Sequence, residues 1–143
     1  MDKKFVLNEP AIAYKILDDS NAYSLIQTIK RGIKFSFFEQ LAMVSQFTIR
    51  DWSSILHLSE RSMQRYKKEG GTFGPVSSEK IIEITMLYKF GVEVFADKGK
   101  FNTWLNIENV SLGGAKPKEL LDTSFGMGLI KDELMRIEQG VLA

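Results

Sequence analysis

The sequence contains no cysteine and only one histidine among its 143 residues. Without cysteine the chain can form neither a disulfide nor a thiolate metal site, and His57 alone cannot assemble a histidine-based zinc site. We therefore expect no metal and no cofactor, and packing must stabilise the fold. A hydrophobic share of 44% is sufficient to fill the core of one compact domain or of two small ones.

An excess of one charge and long apolar runs are also lacking. The 19 Lys and Arg residues nearly balance the 18 Asp and Glu residues, so any nucleic-acid surface must be local. No apolar run reaches the roughly 18 residues of a membrane-spanning helix. Residues 1–18, interpreted as an N-terminal arm, lack the continuous apolar centre of a signal peptide. These features predict a cytoplasmic protein with no membrane partner.

The remaining sequence shows helical periodicity and no convincing strand, which predicts an all-α fold. A first helix has possible N-caps at residues 19–21 and ends at Gly32. A second helix begins at Ser36, because Glu39 stands three residues later, at the spacing of a capping box.

The longest helical pattern runs from Ser77 or Ser78 to about Phe95 and is expected to form a central helix. Its apolar residues form two stripes, so two sides of the helix need apolar partners. The first stripe comprises Ile81, Ile84, Tyr88, Val92 and Phe95, and the second comprises Ile82, Met86 and Phe90. Gly91 lowers the stability of a helix interior relative to alanine, a loss that the close approach of another helix could offset.

Two short helices separated by a turn are predicted over residues 48–68, as in a helix-turn-helix motif. Thr48 caps the first helix, the break falls at His57 and Leu58, and Ser59 caps the second helix. The turn of this motif often contains Gly, because a residue there can require a positive φ.

The second helix of the motif carries polar side chains suited to the major groove. Arg can donate two bonds to guanine, Gln can pair with adenine, and Lys or Ser can hold phosphates. The candidate DNA-binding residues are Ser59, Arg61, Gln64, Arg65 and Lys68. The alternative is a solvated face without a partner, which is common for basic helices.

The glycine-rich segment "SLGGAKPKELLDTSFGMG", residues 111–128, has neither the order of a phosphate-binding loop nor the spacing of a dinucleotide fingerprint. We interpret its glycines as turns, Pro117 as the first residue of a short helix, and Thr123 or Ser124 as the cap of the last helix. That helix is expected to bury Ile130, Leu134 and Ile137 and to end near Gly140.

Candidate catalytic groups are also lacking. The adjacent Asp132 and Glu133 diverge on a helix, and His57 has no evident nucleophile placed beside it. We therefore predict that the protein is not an enzyme and has no catalytic residue.

The order of these segments resembles the antitoxins of the Xre/MbcA/ParS family. The matching segments are "LSERSMQRYK" (58–67), "SSEKIIEI" (77–84), "VFADKGKFNTWL" (94–105), "LGGAKPKELLDTSFG" (112–126) and "LMRIEQGVLA" (134–143). The C-terminal segments are specific to the family, whereas the helix-turn-helix is shared with many DNA-binding proteins.

The resemblance implies an all-α protein in which an Xre/Cro-like helix-turn-helix part is followed by a small helical toxin-binding part, the two sharing a long central helix. The expected organisation is an arm over 1–18, a DNA-binding part over 19–76 with the helix-turn-helix at 48–68, and the central helix with the toxin-binding domain over 77–143.

The implied partners are operator DNA, through which such antitoxins repress their own operon, and a RES-domain toxin that consumes NAD or transfers ADP-ribose. The antitoxin of such a system covers the toxin's active site. The resemblance places toxin contact on Lys131, Arg136, Gln139, Val141 and Leu142. A homodimer is the simplest arrangement, since paired half-sites multiply affinity. The alternative is a free-standing dimeric helix-turn-helix regulator without a toxin.

Overall fold

The computed structural model describes residues 21–140, so the predicted arm over residues 1–18 lies outside the described part. The described chain is all-α, as predicted, and its only strand-like pairing is an isolated bridge between Lys34 and Thr72. The α-helices are α1 Ala22–Arg31, α2 Phe35–Ala42, α3 Ile49–Leu56, α4 Glu60–Glu69, α5 Pro75–Phe95, α6 Lys98–Leu105 and α7 Ser124–Glu138. Short 3-10 helices span Val110–Leu112 and Pro117–Leu120. None of the helices within residues 21–140 is long and apolar enough to cross a membrane.

The chain packs as two compact units, of which the first ends at Met86 and the second begins at Leu87. This division falls inside α5, the predicted central helix, which has 21 residues and is the longest in the described range. The helix starts at Pro75, ahead of the predicted Ser77 or Ser78, because Gly74 O accepts the first helical bond from Ser78 N at 2.9 Å. The functional boundary at residues 76/77 stays a prediction.

The first unit is built around a cluster of aromatic rings. Phe38 lies at its centre, with ring centroids 5.1 Å from Trp52, 5.2 Å from Phe73 and 5.2 Å from Phe35. Tilted and edge-on ring contacts of this kind add to the free energy gained by burying apolar area. The cluster joins α2 to α3 and to the loop that precedes α5.

The start of α2 differs from the sequence-based expectation. The helix begins at Phe35, its N-cap is Lys34, and that N-cap makes no side-chain capping bond. Ser36 therefore lies inside the helix, and the predicted capping box of Ser36 with Glu39 is wrong. The backbone takes the place of the cap, because Phe35 N donates to Gly71 O at 2.9 Å. A second bond, from Phe73 N to Ile33 O at 2.8 Å, holds the same two segments together.

The two apolar stripes predicted for α5 are buried to different extents. Ile81, Ile84 and Tyr88 of the first stripe are buried, whereas Val92 and Phe95 are partly exposed. In the second stripe Ile82 is buried but Met86 is exposed. The expectation of two partnered sides is therefore met only in part.

The second unit packs α6 against the C-terminal part of α5. The Phe101 ring lies 5.1 Å from the Tyr88 ring and 5.7 Å from the Phe95 ring, measured between centroids. A Cβ atom at Gly91 would stand 2.1 Å from Phe101 Cζ. The expected close approach at Gly91 is therefore confirmed.

The glycine-rich segment forms the turns that its sequence predicts. Gly113 and Gly114 have φ values of 75° and 85°, and Pro117 is the first residue of a 3-10 helix. Thr123, rather than Ser124, caps α7 by accepting a hydrogen bond from Gly126 N at 2.9 Å. The expected core positions Ile130 and Leu134 are buried, whereas Ile137 is partly exposed.

Candidate functional sites

The helix-turn-helix predicted for residues 48–68 is formed by α3 and α4. Thr48 Oγ1 accepts from Asp51 N at 3.1 Å, and Asp51 Oδ2 accepts from Thr48 N at 2.9 Å, which completes a capping box. The turn passes through His57, whose φ of 57° and ψ of 38° are left-handed. His57 thus adopts the conformation that favours Gly. Histidine tolerates this conformation better than most residues do.

One side of α4 packs against the first unit. Met63 is fully buried. The partly exposed Tyr66 packs edge-to-face against Phe73, with ring centroids 5.0 Å apart. Ser59 caps the helix as predicted, accepting from Ser62 N at 3.0 Å. The buried side fixes which residues of α4 face outward.

The outward side of α4 and its N-cap carry the candidate DNA-binding residues, all of which are exposed: Ser59, Arg61, Gln64, Arg65 and Lys68. The guanidinium of Arg65 lies 5.6 Å from the centre of the Tyr66 ring, a cation–π distance that restrains the arginine. The outward side of α4 is therefore a cationic surface that also carries the amide of Gln64. Arginine, glutamine and lysine side chains on such a face can contact base edges and phosphates.

Sequence reasoning did not single out Arg50 and Glu60, which lie at the beginnings of α3 and α4. Arg50 Nε lies 3.6 Å from Glu60 Oε2, and the Arg50 side chain is 85% exposed. An exposed arginine beside a reading helix can contact phosphate, and a glutamate there can accept a bond from cytosine. The order Ser59-Glu60, a cap followed by an acid in the first turn, is the sequence signal for Glu60.

The candidate toxin-binding residues of the described chain lie on α7 and at its end. Lys131, Arg136 and Gln139 are all exposed, and an Arg136 guanidinium nitrogen donates to a Glu133 carboxylate oxygen. The other two candidates, Val141 and Leu142, lie outside the described residues.

Two apolar side chains of α7 also face solvent and were not among the sequence-based candidates. Phe125 is 91% exposed and Leu129 is 51% exposed. Their spacing of four residues places them on one side of the helix, away from the buried Ile130 and Leu134. With Ser124, Gly128 and Asp132 they line a shallow surface groove. The spacing relative to Ile130 is the sequence signal that could have identified them.

Metal ligands do not cluster in the part of the chain that the structure describes. Between residues 21 and 140, no group of three or more His, Cys, Asp or Glu side chains is placed to hold a metal ion.

Two family models match the chain. Residues 24–85 match the antitoxin Xre-like helix-turn-helix domain, and residues 91–140 match the antitoxin Xre/MbcA/ParS C-terminal toxin-binding domain. The first range contains α3 and α4, and the second contains α6 and α7.

Two curated proteins are similar over most of the chain. "Antitoxin Xre" of Yersinia enterocolitica serotype O:8 / biotype 1B (strain NCTC 13174 / 8081) is 27% identical over 128 residues, which cover 89% of this chain and 86% of the relative. "Prs ADP-ribosylating antitoxin" of Sphingobium sp. (strain YBL2) is 22% identical over 143 residues, which cover 94% of this chain and 90% of the relative.

The chain has a DNA-binding helix-turn-helix domain and a toxin-binding domain, and it is an antitoxin of a toxin–antitoxin system. Both curated relatives are named as antitoxins. The chain belongs to the Xre/MbcA/ParS antitoxin family.

Proposed function

We propose that this antitoxin neutralises a RES-domain toxin by covering its active site, and that it represses its own operon by binding operator DNA. The observation that carries the proposal is the presence of an exposed cationic helix, α4, in a helix-turn-helix domain and of a toxin-binding domain in one chain. A single protein with both parts can silence the toxin and the gene that encodes it.

The DNA-binding half of the proposal relies on the outward side of α4. Arg65 and Gln64 have the donor and acceptor groups that read guanine and adenine, while Ser59, Arg61 and Lys68 can hold phosphates. All five side chains are exposed, and the capped start and buried Met63 fix the helix on which they stand. Positioned donors on a supported helix are what major-groove recognition requires.

The toxin-binding half relies on the C-terminal unit. We assign toxin contact to Lys131, Arg136 and Gln139, and to Val141 and Leu142 in the tail that follows Gly140. A toxin that consumes NAD or transfers ADP-ribose is supported by the family resemblance and by the words "ADP-ribosylating antitoxin" in the name of the Sphingobium relative. We also propose a homodimer, because one short reading helix buries little surface and two half-sites multiply the affinity.

Co-expression with the product of the adjacent gene tests this function. The adjacent product should stop growth when expressed alone, and growth should return when this chain is expressed with it. A chain that ends at Gly140 should restore growth less well, since it lacks Val141 and Leu142. An adjacent product that is harmless alone, or one that stays toxic beside this chain, would contradict the proposal and favour the free-standing regulator.

A further inference from the structure

A stripe of exposed side chains follows the outward side of α7. It consists of Phe125, Leu129, Asp132 and Arg136, which we call the α7 stripe. Their spacings of four, three and four residues keep them on one face of a helix, whereas Gly126, Ile130 and Leu134 occupy the buried face. The stripe begins apolar at Phe125 and Leu129 and ends charged at Asp132 and Arg136.

The apolar start of the α7 stripe lies in the first turn of α7, whose backbone is held in place. Thr123 caps the helix through Gly126 N, and a Cβ atom at Gly126 would stand 1.8 Å from Leu120 O. The first turn of α7 therefore lies directly against the backbone of the Pro117–Leu120 turn. Phe125 projects from this support with 91% of its surface exposed. An exposed aromatic side chain on a fixed backbone can bury a large apolar area on binding, which is typical of interface anchors.

The identity of the partner is indicated by where the stripe lies. All four residues belong to the range 91–140, which matches a toxin-binding domain. A second copy of this chain is the alternative occupant, and no comparison assigns self-association to this range, whereas the match assigns toxin binding to it.

We infer that the α7 stripe docks the toxin, with Phe125 and Leu129 entering an apolar depression on the toxin surface. Asp132 meets a basic side chain at the rim of that depression, and Arg136, which donates to Glu133 within the chain, meets an acidic one. This inference rests on the proposed function. It assigns most of the affinity for the toxin to Phe125 and Leu129 rather than to Lys131, Gln139 and the tail. Asp132 and Arg136 contribute mainly to specificity, since exposed ion pairs add little affinity.

Binding measurements with the full-length chain and the purified product of the adjacent gene test the inference. Phe125→Ala should weaken the complex about 30-fold or more, the effect of an interface hot spot. Leu129→Ala should weaken it about 5- to 30-fold, since less of that side chain is exposed. The thermal unfolding midpoint of both variants should stay close to that of the unsubstituted chain, because both side chains face solvent.

Val110→Ala provides the matched control. Val110 is 94% exposed but belongs to the 3-10 helix Val110–Leu112, outside α7. Its substitution should change the dissociation constant less than about threefold, as expected for an exposed residue outside the binding energy hot spot. An equally large effect of Val110→Ala would overturn the assignment of the docking surface to α7.

The outcomes separate this inference from the function on which it rests. If the unsubstituted chain binds the toxin and the Phe125 and Leu129 variants bind equally well, the α7 stripe is not the docking surface and the proposed function stands. If the variants instead lose self-association, measured by light scattering, and keep toxin affinity, a second copy covers the stripe and the inference is overturned. If the unsubstituted chain does not bind, both fail.

Discussion

The ring of Phe101 fills the space in front of Gly91, so that a Cβ atom at Gly91 would stand 2.1 Å from Phe101 Cζ. Gly91→Ala should therefore destabilise the protein by about 1–3 kcal/mol, because the overpacked ring must move. This figure is the net loss, after the gain of about 1 kcal/mol that alanine brings to a helix interior. The free energy of unfolding in urea measures the difference.

Gly128→Ala is the control for this prediction. Gly128 also lies inside a helix, but a Cβ atom there meets no other atom within 4 Å. Alanine should stabilise the protein by about 0.5–1 kcal/mol at this position. Equal effects of the two substitutions would contradict the close packing of α6 against α5.

Thr48→Ala should lower the free energy of unfolding by about 0.5–2 kcal/mol, since it removes one half of the capping box at α3. Ser36→Ala should be neutral or slightly stabilising, because Ser36 lies inside α2 and alanine is the better helix former. Chemical denaturation of both variants checks the pair. A larger loss of unfolding free energy for Ser36→Ala than for Thr48→Ala would indicate that Ser36 caps α2, as the sequence predicts.

These two positions show what could be predicted from the sequence. The caps at Thr48 and Ser59 have partners within three residues, so local spacing is enough to identify them, and at α7 it narrows the cap to Thr123 or Ser124. The start of α2 depends on the Gly71 backbone, a partner far along the chain, and no local pattern indicates it.

The candidate sites show the same limit. The spacing of the α4 residues identifies its outward face, because Met63 and Tyr66 define the opposite face. Phe125 was missed because a phenylalanine in a helix normally indicates a core position. Its exposure depends on how Gly126 packs against Leu120, a contact between two different elements.

Arg65→Ala should weaken operator binding by about 1–3 kcal/mol if Arg65 reads a guanine, with the loss confined to the cognate sequence. If Arg65 holds a phosphate instead, binding should weaken on all sequences and the salt dependence should decrease by about one ion. Titrations of operator and unrelated DNA at several salt concentrations distinguish the two roles.

Lys100→Ala removes the same charge from an exposed position outside the helix-turn-helix and serves as the control. It should leave operator affinity nearly unchanged. Unchanged affinity for Arg65→Ala would place the reading face elsewhere.

His57→Gly should stabilise the protein by about 0.5–1 kcal/mol, because glycine adopts the left-handed turn at φ 57° without the steric cost of a side chain. His57→Val should destabilise it, since a β-branched residue is a genuine outlier in that region. Thermal unfolding compares the three proteins. Operator affinity should be the same for histidine and glycine, and a stabilising effect of valine would contradict the left-handed turn.

The central claim is that this antitoxin silences a toxin by covering its active site. The most direct measurement follows NAD consumption by the purified adjacent-gene product while the full-length antitoxin is added in increasing amounts. We predict that NAD consumption falls to the background level once the antitoxin saturates the toxin. NAD consumption that continues at the full rate with saturating antitoxin would contradict it.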